Sequence, residues 1–117
     1  MVKVIGFIRK REDLTFQQFK DYWLNKHSKL EKESLENNPI RRIVASFVTE
    51  ELIGKAPFDG MVELYFASME DFREQWSGPQ DAIMREDEKN FCDPEYRVFV
   101  LTEEYLIAER TPEKSSK

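Results

Sequence analysis

One pattern in the chain occurs twice. "LTFQQF", residues 14–19, places Thr15 and Gln18 at the spacing of a helix capping box, with Leu14 and Phe19 at the two positions of a hydrophobic staple. "ASMEDF", residues 67–72, puts Ala67, Ser68, Asp71 and Phe72 in the same places. Trp23 follows Thr15 by eight residues, as Trp76 follows Ser68 by eight. Two helices that begin alike divide the chain into two similar halves. What flanks each helix then limits the fold to very few choices.

The flanks read as strands. "VKVIGFIRK", residues 2–10, is rich in β-branched and aromatic types. After the first helix, Pro39 disfavours a helical Asn38, and "IRRIVASFVTE" follows as a second strand. A turn-rich connection with Asp59-Gly60 leads into "MVELYFA", which sets Val62, Leu64 and Phe66 against Met61, Glu63 and Tyr65. Gly78-Pro79 breaks the second helix. A charged segment, "DAIMREDEKNF", predicts another short helix, and "YRVFVLTEEYLIAE" a last strand. Two βαβ units in succession define an α+β, ferredoxin-like βαββαβ sandwich: a four-stranded antiparallel sheet with helices on one face. The domain is expected over residues 1–108, with 109–117 a polar disordered tail.

Helices on one face leave the other bare, yet neither alternate set of strand residues is cleanly polar. The first strand offers Lys3, Ile5, Phe7 and Arg9 against Val2, Val4, Gly6 and Ile8. A sheet apolar on both faces needs a partner, and the simplest is a second copy across a two-fold axis. A homodimer is expected.

Composition narrows the function classes. The net charge of −5 comes from 23 acids interleaved with 18 bases, without the basic stripe that nucleic-acid binding needs. No window approaches the roughly 18 consecutive apolar residues of a membrane-spanning helix. Cys92 is the single cysteine, so an internal disulfide is impossible and a reduced, cytoplasmic setting fits. Four glycines leave little material for a phosphate-cradling loop, and none is found.

Against that plain background one residue stands out. His27 is the only histidine and lies one helical turn after Trp23, on the stripe Phe16, Phe19, Trp23, His27 and Leu30. An imidazole on such a stripe either fills the core, tied to a backbone carbonyl, or transfers protons near neutral pH. Tyr22, Trp23, Tyr65, Trp76 and Phe91 are candidates to wall a flat hydrophobic ligand by stacking, or else core. Glu63 shares a strand face with Tyr65. Facing the helices it would be a buried proton shuttle, and facing away a surface or interface acid. Cys92 has only Lys89 nearby as a base and reads as inert, and "EDEKN", residues 86–90, reads as a solvated helix face.

"FKDYWLNKH" resembles the first-helix signature of EthD-like proteins, in the dimeric α/β-barrel superfamily. "FDGMVELYFAS", "EDEKNFCDP" and "VFVLTEEYLI" resemble the segments that follow there, so the likeness spans nearly all of residues 3 to 108. It implies a ferredoxin-like protomer whose sheet packs on a second copy to form a dimeric α/β barrel. It also implies a ligand pocket between helices and sheet, faced by His27. Two departures are visible. Ser28-Lys29 stands where a small residue and a proline are common, which leaves the helix free to run on, and Phe58 replaces a common tyrosine.

Together these features predict a cofactor-independent enzyme moving protons on a hydrophobic aromatic, polyketide or lactone-like substrate, of isomerase, cyclase or dehydratase type. His27 would be the acid–base residue and Tyr22 or Tyr65 would polarise a substrate oxygen. The alternatives are a non-catalytic dimeric ligand-binding or accessory protein, and a monooxygenase of the same superfamily, either cofactorless or haem-dependent, with His27 as the axial ligand in the haem case.

Overall fold

The computed structural model describes residues 2–76 and 78–112. Its elements follow the predicted order: β1 (Val2–Lys10), α1 (Phe16–Tyr22), a π-helical turn (Trp23–His27), α2 (Ser28–Asn37), β2 (Ile40–Phe47), β3 (Gly60–Phe66), α3 (Met69–Trp76), α4 (Pro79–Glu88) and β4 (Cys92–Glu103). The strands form one sheet in the order β2-β3-β1-β4, and every pairing is antiparallel. This is the ferredoxin-like α+β fold.

Both helix starts are where the repeat puts them. The Thr15 hydroxyl accepts from the Gln18 backbone N–H at 3.1 Å, and the Gln18 side chain accepts from the Thr15 N–H at 2.8 Å. Ser68 Oγ accepts from the Asp71 N–H at 3.1 Å. Where the helices stop differs. The first continues to Asn37, after which Asn38 is extended, as expected of a residue before proline. The second stops at Trp76; Gly78 then caps α4, with Pro79 in its first turn.

Register assigns the faces. Val4, Ile8, Val62 and Phe66 are buried under the helices. One cluster joins Ile8, Phe19, Trp23, Val62, Phe91 and Cys92, and a second joins Val4, Ile40, Phe66 and Phe72. Gly60 lets the first cluster close on the sheet, because a Cβ there would lie 3.0 Å from the Trp23 ring. On the other face, pairing lines up Phe7 with Met61 and Val98, and Ile5 with Glu63 and Val100. Val98 and Val100 are 40% and 39% exposed, so this bare face is substantially apolar.

The last strand begins and ends earlier than expected. It starts at Cys92, because the Arg11 N–H bonds the Phe91 carbonyl at 2.9 Å and Lys10 pairs with Cys92, which ties the incoming chain to the end of β1. It stops at Glu103, which pairs with Val2, the first residue of β1. Residues 104–112 carry no regular structure, with Tyr105, Leu106 and Ile107 exposed, and residues 113–117 of the expected tail lie outside the described residues.

Candidate active site

The stripe on the first helix does not follow the regular helical period. Its buried residues are Phe19, Trp23, His27, Glu31 and Ser34, so the first three steps are of four residues. In a regular α-helix each such step turns the side chain about 40° off the line. The π-helical turn removes that drift. The Ser28 N–H reaches back to the Trp23 carbonyl, five residues away, and one wider turn keeps Trp23, His27 and Glu31 over the sheet. Leu30, expected on the stripe, is displaced to a half-buried position and Glu31 takes its place.

His27 is 3% exposed, with a carboxyl group on each side of its ring. Its Nδ1 lies 2.8 Å from Asp87 Oδ2, on α4. Asp87 Oδ1 accepts from the Tyr22 hydroxyl at 2.8 Å and from Asn90 Nδ2 at 3.2 Å. Burial works to raise the Asp87 pKa, but the hydrogen bonds from His27, Tyr22 and Asn90 outweigh it and hold the carboxyl below the usual carboxylate range. On the ring's other side, Nε2 lies 4.0 Å from Glu31 Oε2. That is beyond a hydrogen bond and wide enough for one bridging atom. Both Glu31 oxygens take the Trp23 indole N–H, at 3.2 Å each. Burial pushes the Glu31 pKa up, against the opposing pull of His27 and Trp23. Two carboxyl groups thus flank one imidazole, one shifted towards its anion and the other towards its acid.

His27 and Glu31 both line a cavity of about 50 Å³ between helices and sheet, with Trp23, Trp76 and Phe91 among its other walls. The Phe91 ring is 4.9 Å from the imidazole, and Trp23 meets it edge-on at 6.4 Å. Glu88 also lines the cavity and accepts from Arg97 Nε at 2.7 Å. Cys92 is buried in the same wall, where burial pushes its thiol well above its ordinary pKa, the opposite of an activated nucleophile. Among the described residues no three His, Cys, Asp or Glu side chains are placed to hold a metal ion.

Of the residues singled out by sequence, four meet at the cavity: His27, Trp23, Trp76 and Phe91. Tyr22 does not line it. It stacks on Phe91 with centroids 5.1 Å apart and acts on His27 only through Asp87. Glu63 and Tyr65 are on the wrong side of the sheet. Because Val62, Leu64 and Phe66 face the helices, their neighbours face away, and Glu63 pairs with Lys3 at 2.8 Å while Tyr65 lies beneath Lys3 and Arg42. The imidazole's partner is a carboxylate and not the backbone carbonyl of the plain core reading. "EDEKN" is likewise more than a solvated face, since Asp87 grips His27 and Glu88 grips Arg97. Glu31 was readable as the next four-residue step after His27; nothing local pointed to Asp87.

With the geometry in place, the comparisons fall into line. Residues 11–95 match the EthD domain. The chain belongs to that family. An ethyl tert-butyl ether d (EthD) family protein from Bacillus halodurans is similar in structure, with a TM-score of 0.72 at 21% identity, covering 90% of this chain and 99% of that one. A hydroxynitrile lyase from Passiflora edulis has a TM-score of 0.64 at 19% identity, over 95% and 96% of the two chains. A dimeric protein of unknown function and ferredoxin-like fold from Bacteroides fragilis has a TM-score of 0.63 at 16% identity, over 87% and 94%. At these identities the likeness is one of fold. No curated protein matches the chain in sequence. No helix is long and apolar enough to cross a membrane among the described residues.

Proposed function

We propose that this EthD-family chain is a cofactor-independent enzyme that moves a proton on a small hydrophobic substrate, with His27 as the acid–base residue. The observation that carries the reading is the Asp87–His27–Glu31 line at the cavity. Asp87 fixes the ring through Nδ1, which leaves Nε2 to exchange a proton with whatever occupies the gap before Glu31. Glu31, whose burial makes it hold a proton more tightly than a free carboxyl, can return a proton to the substrate at a second atom. An isomerase, dehydratase or cyclase needs only that pair, and a hydroxynitrile lyase on the same fold supports a lyase-type reaction here. Trp23, Trp76 and Phe91 supply the apolar wall, and Tyr22 positions the site through Asp87. Glu63 and Tyr65 have no part in it.

The cavity sets the scale. A water needs roughly 10–15 Å³ of such space, so about four water-sized groups fit. A whole polyketide exceeds that, and only the reacting end of a larger molecule would enter. Haem does not fit the site, since Nδ1 is already bound to Asp87 and the cavity that His27 lines is only about 50 Å³. The same small volume favours a second reading, a non-catalytic accessory protein in which the His27 network is architecture.

The protomer is proposed to pair with a second copy through the bare sheet face, where Ile5, Phe7, Met61, Val98 and Val100 form an apolar strip. Residues 1–108 form the domain in this reading and 109–117 a tail outside it.

Proton NMR of the single imidazole tests the enzyme reading, followed by turnover of a lactone and β-hydroxy-ketone panel by wild type and His27→Ala. A ring that titrates before the protein unfolds, with turnover lost in His27→Ala, supports it. A ring that never changes protonation below the unfolding pH leaves the accessory reading.

A further inference from the structure

The helical wall of the cavity contains an acceptor that no described residue uses. On α3 the inward face is Phe72 and Gln75, both buried, and the half-buried Trp76, spaced as one side of a helix. Phe72 and Trp76 fill their positions with rings. Gln75 puts an amide into the same apolar layer, where it is 6% exposed and lines the cavity opposite the sheet. Its Oε1 is buried and accepts no hydrogen bond among the described residues. A leucine or methionine at this position would pack without that defect. A buried polar atom left unpaired is destabilising, so one on a residue that lines a cavity is what a ligand group could satisfy.

Charge narrows the ligand further. Arg97, the arginine at the cavity, is engaged by Glu88, and His27 is engaged by Asp87. Asp81, also in the lining, is paired with Arg85 at 2.7 Å. An incoming carboxylate would therefore meet no free cation, and would face Glu31. A neutral group is preferred, and to satisfy Oε1 it must donate.

We infer that Gln75 is a specificity-determining residue that anchors a hydroxyl of a small, uncharged substrate while the substrate's reacting carbon lies at His27. The inference rests on the proton-transfer reading above, and the ligand class it names is neutral alcohols rather than acids or simple ketones. Anchoring the hydroxyl at α3 and the reacting atom between His27 and Glu31 would orient the molecule across the cavity.

Isotope-labelled full-length chain titrated with 2-propanol, acetone and acetate tests this, because the three are matched in size and differ in donor and charge. Expected are saturable shifts of both the Gln75 side-chain amide and the His27 imidazole with 2-propanol. Acetone and acetate should bind about tenfold or more weakly, and Gln75→Leu should weaken 2-propanol by a similar factor. If acetone or acetate binds as well as 2-propanol, the donor requirement or the neutrality requirement is wrong and the inference is overturned. If 2-propanol moves His27 equally in wild type and Gln75→Leu, Gln75 is not the anchor, while the proton-transfer reading stands. If no probe moves either signal and the imidazole does not titrate, both fall together. Should Gln75→Leu fail to fold, Gln75→Met repeats the comparison, and the wild-type Gln75 amide signals report directly without any substitution.

Discussion

The two halves of this molecule start alike and finish differently. Thr15 and Ser68 cap their helices, Phe19 and Phe72 dock them, and Trp23 and Trp76 end the shared part. After Trp23 the backbone widens into a π-helical turn and runs on as helix, so that His27 and Glu31 stay over the sheet. After Trp76 it breaks at Gly78-Pro79 and restarts as α4, which has no fully buried residue of its own and lays Asp87 against His27. A repeated start builds the scaffold. The site comes from the unequal endings, one half giving the imidazole and the other its carboxylate.

Substitutions can break that comparison or sharpen it. Phe19→Ala should have the largest effect, about 3–5 kcal/mol of lost stability in denaturant unfolding, because its ring is fully buried amid Phe16, Trp23, Phe47 and Phe91. Phe72→Ala should lie at the low end of that range, with three partners in its buried cluster. Equal losses would mean that the halves are energetically equivalent.

Asp87→Ala comes next, at about 2–3 kcal/mol at neutral pH, since it strips partners from a buried imidazole and from the Tyr22 hydroxyl. Asp87 titrates below its unfolded value in the folded protein, so the unfolded chain binds its proton first. Its stabilisation is complete above the ordinary carboxylate pKa near 4 and is lost as pH falls through the depressed one. Removing Asp87 should therefore flatten the acid limb of stability against pH.

Glu31→Gln should act with the opposite sign. Its folded pKa is raised, so the folded chain holds the proton more tightly and stability declines as pH climbs from about 4 through the raised value. Glutamine cannot ionise, and the variant should gain stability at neutral pH relative to wild type. A loss there would mean that the Glu31 anion, not its acid, is what His27 and Trp23 hold.

The smallest effects test the shared start. Thr15→Ala breaks one of the two bonds of a reciprocal cap and should cost about 1 kcal/mol, whereas Ser68→Ala, whose cap is one-sided, should cost about half as much by thermal unfolding. Equal costs would show that a capping hydroxyl is worth the same with or without the reciprocal bond to Gln18 beside it.

Local rules made much of this legible. Caps, the Asn38-Pro39 stop and strand alternation are set by neighbours within a few residues, and they yielded the element order and the ferredoxin-like class. They also placed His27 on the buried stripe. The faces of Glu63 and Tyr65 were not legible, because both alternate sets are partly apolar and alternation cannot say which set meets the helices. Asp87 was hidden in a run of acids, 60 residues from the histidine it holds, where local pattern makes every carboxylate look alike. The sequence by itself determined what kind of layers form and which residues lie on one stripe, since those are periodic properties of a single segment. Tertiary structure alone decided which carboxylates meet the imidazole and that Gln75 lies buried without a partner, because those depend on how separate segments come to rest against one another.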